Sequence, residues 1–236
     1  MDDAFLAKQR LLVVAPHADD ESASSAGLLW RVKRAGGSAF VQVVSVGDLN
    51  HFDDTGKTVR GSVRKEELAD AMRFLGVDDF EVLFEDETLH ERLDTIPRRD
   101  LVHKIEKGSR VSMEKVRPTM IVIPYPSFNQ DHEAVYHAGI TASRPHLATM
   151  KAFQDVVLVG DAPQLAWNPR AFKPNFYVDI SDCLEKKLEA YRRHRSQQRP
   201  APHQGGVDAL ERLARQRGTE ISVAAAEAYE CMRFVI

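Results

Sequence analysis

Apolar positions along the chain fall into short, nearly continuous runs, separated by longer stretches in which they recur at helical spacing. Residues 11–15, 40–46, 80–84, 120–124 and 156–159 form such runs. A strand with no polar face must be covered on both sides, which is the signature of a parallel sheet packed between helices. Between the runs, residues 21–35 and 60–75 predict helices. In the second of these, Leu68, Ala71, Met72 and Leu75 recur three and four residues apart and make one apolar stripe. Gly36-Gly37 and Gly76 stand where helix C-caps are expected. Alternating strands and helices imply right-handed crossovers, and hence an α/β fold with a doubly wound, mostly parallel sheet and helices on both faces.

The 236 residues fit one domain, 1–236, and the pattern contains no repeat or low-complexity segment. The least regular stretch, 197–206, reads as a surface loop before a last helix. The long connection 85–97 after the third strand is of the kind that overhangs sites. A net charge of -3 with mixed signs throughout points away from nucleic acid and from a membrane surface. No apolar run approaches the roughly 18–20 residues that span a bilayer. The acidic start, MDDAFLAKQR, lacks the features of a secretory signal. Cys183 and Cys231 are far apart and form no CxxC, so both read as small apolar groups in a reducing, cytoplasmic setting.

Chemistry enters after the first strand, at Pro16-His17-Ala18-Asp19-Asp20-Glu21. A nucleotide-binding turn would carry glycines here, whereas three successive carboxylates would repel a phosphate. An imidazole and a carboxylate three residues apart can converge on one metal, leaving the adjacent carboxylate free to take a proton from water. The structural alternative is that Asp19 or Asp20 caps the helix and Glu21 complements its dipole. Capping needs one such residue and leaves His17 unexplained. A second cluster, Asn129-Gln130-Asp131-His132, follows the fourth strand and precedes a helix expected over 133–143. Taken alone, His132 is a cap or surface group and Asp131 an N-cap.

With strand order 3-2-1-4-5, however, strands one and four are neighbours at the switch point, where ligands bind beyond the strand C-termini. His17, Asp20 and His132 would then face one crevice. Two histidines and a carboxylate suit a catalytic Zn²⁺ and equally suit non-haem Fe²⁺. Asp19 as a spare base favours hydrolysis over oxygen chemistry.

These residues resemble the LmbE-like, or PIG-L, deacetylase family. PHADDE is similar to the family's first motif, and NQDH matches the last two positions of its H-x-D-H motif. Arg64-Lys65-Glu66-Glu67-Leu68 followed by Leu75-Gly76-Val77 resembles the family's R-x-x-E-L…LGV helix. More weakly, so do PNFYVDIS, YRRHRSQ and a final helix near AAAEAYE, residues 224–230. The resemblance implies a Rossmann-like fold, metal ligands His17, Asp20 and His132, and Asp19 as general base. It also implies that Asp131 orients a histidine, that Arg64 contacts substrate, and that the reaction removes an N-acetyl or other N-acyl group from an amino sugar or glycoconjugate. For Arg64 the alternative is a helix-surface charge paired with Glu67.

Asn129 departs from the family pattern, standing where the family has a histidine thought to protonate the leaving amine or stabilise the oxyanion. Asparagine can donate to an oxyanion but cannot deliver a proton. Asp19 in its protonated form is one replacement; His194 and His203 are others, each with a solvated position as its alternative. His51, His90, His103, His137 and His146 follow no comparable pattern and read as structural or exposed. Three alternatives stay open: a metal-binding protein with impaired catalysis, an iron enzyme, and a hydrolase of a non-sugar N-acyl natural product. Homo-oligomerisation is likewise left open.

Overall fold

The computed structural model describes residues 3–50, 58–147 and 149–235. Along the chain these form α1 (Asp3–Ala7), β1 (Arg10–Ala15), α2 (Asp20–Ala35), β2 (Ser38–Ser45) and the short antiparallel pair β3 (Leu49–Asn50) and β4 (Thr58–Val59). There follow α3 (Gly61–Leu75), β5 (Asp79–Phe84), α4 (Arg98–Glu106), α5 (Met113–Val116), β6 (Met120–Pro124) and α6 (Gln130–Ala142). The chain continues through β7 (Val156–Gly160), β8 (Phe176–Asp179), α7 (Leu184–Arg192), α8 (Val207–Thr219) and β9 (Ala226–Phe234).

The main sheet runs β5-β2-β1-β6-β7-β9-β8. Its first five members are parallel and are the five strands expected from the apolar runs, in the order 3-2-1-4-5. Their uniform hydrophobicity has the anticipated cause. Leu11, Val13 and Ala15 of β1 enter the core beneath α2 and α3, while Leu12 and Val14 enter the core beneath α4 and α6. Met120 and Val122 of β6 divide in the same way from Ile121 and Ile123. Successive side chains point to opposite faces, and both faces are dry. Gly36 (φ 95°) and Gly76 (φ 71°) close α2 and α3 in the left-handed conformation, as their positions predict.

The C-terminal part corrects the sequence reading. The helix expected after residue 206 is α8, but residues 226–230 of the AAAEAYE segment begin strand β9, antiparallel to both β7 and β8. Alanine's helix preference is worth only tenths of a kcal/mol per residue, roughly, and a strand slot with two partners overrides it. The small side chains have a use there, since Ala226 and Ala228 are buried between neighbours. β9 also sends Glu227 into α2, where its two carboxylate oxygens accept from the mid-helix N–H groups of Gly27 and Leu28, both at 2.8 Å. Lys187 of α7 completes this lock, with Nζ 2.6 Å from Glu227 Oε1 and donating at 2.6 Å to the carbonyl of Ala23.

Candidate functional site

Both predicted motifs lie at the carboxyl ends of adjacent parallel strands, β1 and β6. His17 sits just past β1, and its backbone N–H donates to Asp20 Oδ2 at 3.0 Å, closing the ligand turn on itself. Asp20 is the first residue of α2. His132 lies in the first turn of α6, which begins at Gln130, before the expected start at residue 133. The extra turn is capped by Asn129, whose side chain accepts from the Asp131 N–H at 2.8 Å. The cap is therefore Asn129; Asp131, the N-cap alternative from sequence, turns inward instead.

The structure brings His17, Asp20 and His132 together. Asp20 Oδ2 is 3.6 Å from His17 Nδ1 and 3.3 Å from His132 Nε2, and the three donor atoms lie within 4.8 Å of one another. Separations of 3.3 and 3.6 Å are what ligands of one ion with bonds of about 2.0–2.2 Å leave between them. Fully buried Asp131 accepts from His17 Nε2–H at 2.8 Å, which leaves Nδ1 with its lone pair directed to the cluster. The other Asp131 oxygen accepts from the Leu93 N–H at 2.8 Å, so the 85–97 connection reaches the site through its backbone. A divalent ion thus fits the donors present. Burial pushes the Asp20 carboxyl up, but the His132 and His17 imidazoles outweigh this and hold it at about 2. Burial lowers and Asp20 raises the His132 imidazole, with a net rise. A cation would take the place of those protons.

Asp19 stands beside this cluster and is not one of the converging donors. Burial first, then the neighbouring Asp20 charge, pushes its carboxyl up to about 7. Its backbone is held at φ 116° and its side chain makes no cap hydrogen bond, so Asp19 itself is not a side-chain cap, while Glu21 does stand in the first turn of α2. A non-glycine residue at such an angle costs on the order of 1–3 kcal/mol and needs surrounding structure to hold it. Glu21 supplies part of that hold: one carboxylate oxygen accepts from the Asp19 N–H at 2.9 Å, and the other pairs with His194 Nε2 at 2.8 Å.

His194 is fully buried, which overturns its reading as a solvated residue. Its pairing with Glu21 offsets the cost of that burial. His203, by contrast, shares a cavity of about 220 Å³ with Asp19 and Asp20. Arg64 is 3% exposed, so it is not a helix-surface charge; it donates to the Gly47 carbonyl at 2.9 Å and to His90 Nε2 at 2.6 Å. Glu67, its suggested partner, accepts instead from Ser196 N–H and Oγ–H.

Sequence reasoning passed over His90. It is buried, edge-on to His17 with ring centroids 4.8 Å apart, and held between Arg64 and Ser45. Burial, then His17 and Arg64, lowers its pKa to about 3, so it stays neutral in this setting. A lone histidine in a loop carries no periodic signal that would have marked it. His51 lies outside the described residues. Both cysteines are free, and burial pushes the Cys183 thiol up to about 12, consistent with an inert apolar role.

The sequence profile of the PIG-L family, described as GlcNAc-PI de-N-acetylase, matches residues 12–143. The chain is 28% identical over 202 residues to the probable N-acetyl-α-D-glucosaminyl L-malate deacetylase 2 of Bacillus cereus, covering 80% of this chain and 84% of that protein. It is 26% identical over 207 residues to the diacetylchitobiose deacetylase of Thermococcus kodakarensis, covering 84% and 73% respectively. Among solved structures, a conserved protein of Thermus thermophilus superposes with a TM-score of 0.72 at 24% identity, over 97% of this chain and 96% of that one. With more than half its length, residues 12–143, matched by the family profile, and His17, Asp20 and His132 all inside that stretch, the chain belongs to the PIG-L family.

Proposed function

We propose that this protein is a metal-dependent N-deacetylase that hydrolyses the N-acetyl group of an amino sugar or its conjugate, with one domain over 1–236 carrying the site. The observation that carries this reading is the placement of Asp19. It stands next to three convergent donors, is not one of them, and lines the same cavity as Asp20. The family and the deacetylases to which the chain is similar support the same reaction class.

His17, Asp20 and His132 would hold the ion. Zinc bound there would supply a Lewis acid for the acyl carbonyl and a water acidified to a pKa of about 7. Asp19 removes the proton of the attacking water and, now protonated, returns it to the departing amine. Asp131 keeps His17 in the tautomer that ligates. Asn129 has its side-chain oxygen committed to the α6 cap, which leaves its NH₂ as the donor available to an oxyanion. Arg64, buried and held by Gly47 and His90, steadies the Asp19 carboxylate when it is charged, and its substrate contact stays an implication of the family resemblance.

The test is acetate release from N-acetylated amino sugars by protein stripped with a chelator and then reloaded. Activity that returns with zinc and is absent without metal supports the reading; equal activity in the stripped protein contradicts it. A second reading, a metal-binding protein with impaired catalysis, is favoured by Asn129 alone. It predicts stoichiometric zinc with no acetate release from any sugar offered.

A further inference from the structure

Another cavity, of about 270 Å³, lies on the amino-terminal side of β6 and β7, where Arg117 precedes one strand and Lys151 the other. The metal cluster stands at the opposite end of the sheet, past β1 and β6. α6 spans the interval, with His132 in its first turn and Ala142 as its last residue, a separation of roughly 15 Å. A ligand held in this cavity touches none of the groups that carry the proposed reaction.

The walls are basic. Lys107 follows α4, Arg117 follows α5, and Arg144, His146 and Lys151 come from the connection between α6 and β7. Among the described residues of the lining, Glu106 and Glu114 alone oppose them. Part of this charge is used locally. Lys151 donates to the Ala142 carbonyl and Arg144 to the Thr141 carbonyl at 2.6 Å, where the C-terminus of α6 favours cations. Both also share one oxygen of Glu106, at 2.6 Å from Lys151 and 2.8 Å from Arg144. The fold makes no such use of the others. Among the described residues, the side chains of Lys107, Arg117 and His146 make no hydrogen bond or ion pair.

Charge balance narrows the choice of ligand. Lys107, Arg117, Arg144 and Lys151 face two carboxylates, an excess of two positive charges before His146 is counted. Burial, helped by Arg144, lowers the Lys151 pKa against the pull of Glu106, in keeping with cations crowded around one hollow. A phosphate monoester carries about −1.5 to −2 charges at pH 7 and offers three acceptor oxygens to donors arranged around it. It matches both the excess and the free arginine and lysine, whereas a carboxylate monoanion would neutralise only half of that charge. Met150 at the cavity edge and Leu147 on the same connection are 72% and 70% exposed, so the rim offers apolar contact to the body that bears the phosphate.

We infer that this cavity is a binding site for a phosphate monoester group, seated on Lys107 and Arg117 and separate from the metal centre. The group belongs either to a soluble compound or to a lipid headgroup, and the experiment distinguishes the two. The site exists whether or not the protein releases acetate.

The full chain is titrated calorimetrically with glycerol 3-phosphate and with acetate at constant ionic strength. It is used both loaded with zinc and stripped by a chelator, because a bound metal also takes phosphate. A single ester should bind per chain in both states, with an affinity at least about tenfold above that for acetate. The double variant Lys107→Gln/Arg117→Gln should weaken it by at least about tenfold and leave the melting temperature unchanged, since neither side chain has a partner in the fold. No ester binding, binding seen only with zinc, an affinity equal to that for acetate, or an affinity unmoved by the double variant overturns the inference. Flotation with phosphatidylcholine vesicles containing phosphatidic acid then identifies the source. Wild-type protein that floats while the double variant does not places the phosphate on a lipid. Flotation of neither, or of both alike, places it on a soluble compound.

Discussion

The parallel and antiparallel parts of the sheet contribute to the site in different ways. β1 and β6 deliver every donor atom of the metal cluster from their carboxyl ends. The segment from β8 to β9 delivers none of them, yet it holds α2, the helix that begins at Asp20. Glu227 and Lys187 grip α2 in its second turn, and His194 grips Glu21 in its first. Reactivity and rigidity therefore come from separate stretches of chain. Substitutions in one should change turnover with little effect on melting, and substitutions in the other should do the reverse.

The sharpest break of that comparison is Asp19→Asn. It should lower kcat by about a thousandfold while zinc content and melting temperature stay near those of the wild type, as metal analysis and calorimetry would show. Lost zinc would instead make Asp19 part of the metal's support. On the other side, Lys187→Met leaves the Glu227 carboxylate buried and unpaired. The expected cost is about 3–5 kcal/mol of stability in denaturant titrations of the metal-free protein. A change below 1 kcal/mol, roughly, would mean that the lock does not hold α2.

Between the two extremes stands Asp131→Asn, which touches no substrate but frees the far nitrogen of His17. Zinc affinity should fall by about 10- to 100-fold in a competition titration, with the fold intact. The His194–Glu21 pair gives a pH signature. Burial raises the Glu21 pKa, but His194 outweighs it and lowers the group below 4.5, so that contribution is present above 4.5 and lost as pH falls through the folded value. Burial lowers the His194 pKa, but Glu21 outweighs it and raises the group above 6.5, so that contribution is full below 6.5 and lost as pH rises through the folded value. The stability gap between wild type and His194→Gln, measured without metal, should be widest between about pH 4.5 and 6.5 and shrink on either side. The smallest effect on stability is that of Asn129→Ala, which removes the α6 cap at a cost of about 1 kcal/mol in thermal melting, apart from any loss of turnover through its NH₂.

The same division explains what could be read from residues alone. Five strands were legible because two-sided burial strips a parallel strand of polar positions, as at residues 120–123, while their order was taken from the common doubly wound arrangement and not from any residue. β8 and β9 were not, because Phe176 and Tyr177 are only half-buried and β9 is rich in alanine, which suits a helix in isolation. His17, Asp19 and Asp20 stood out because no local structural need asks for that density of charge at one turn. The burial of His194, a residue named in the sequence only as a solvated candidate, stayed hidden for the opposite reason: its partner Glu21 lies 173 positions away, and no local pattern records such a pairing. Asn129 was noticed as a departure in chemistry, while its role as a cap depended on where α6 begins.

The Glu227 contact with Gly27 closes a loop of 200 positions. During synthesis the strands that bear the ligands leave the ribosome long before Glu227 does, so α2 can form early but must wait for its brace. Contacts of such sequence separation are entropically slow to close and come late in folding. The nascent chain would therefore pass through a stage in which the ligand residues are present and the helix under Asp20 is not yet fixed. Metal capture by the His17–Asp20–His132 group would then be a late event, and metal loading would report that the last strand has docked.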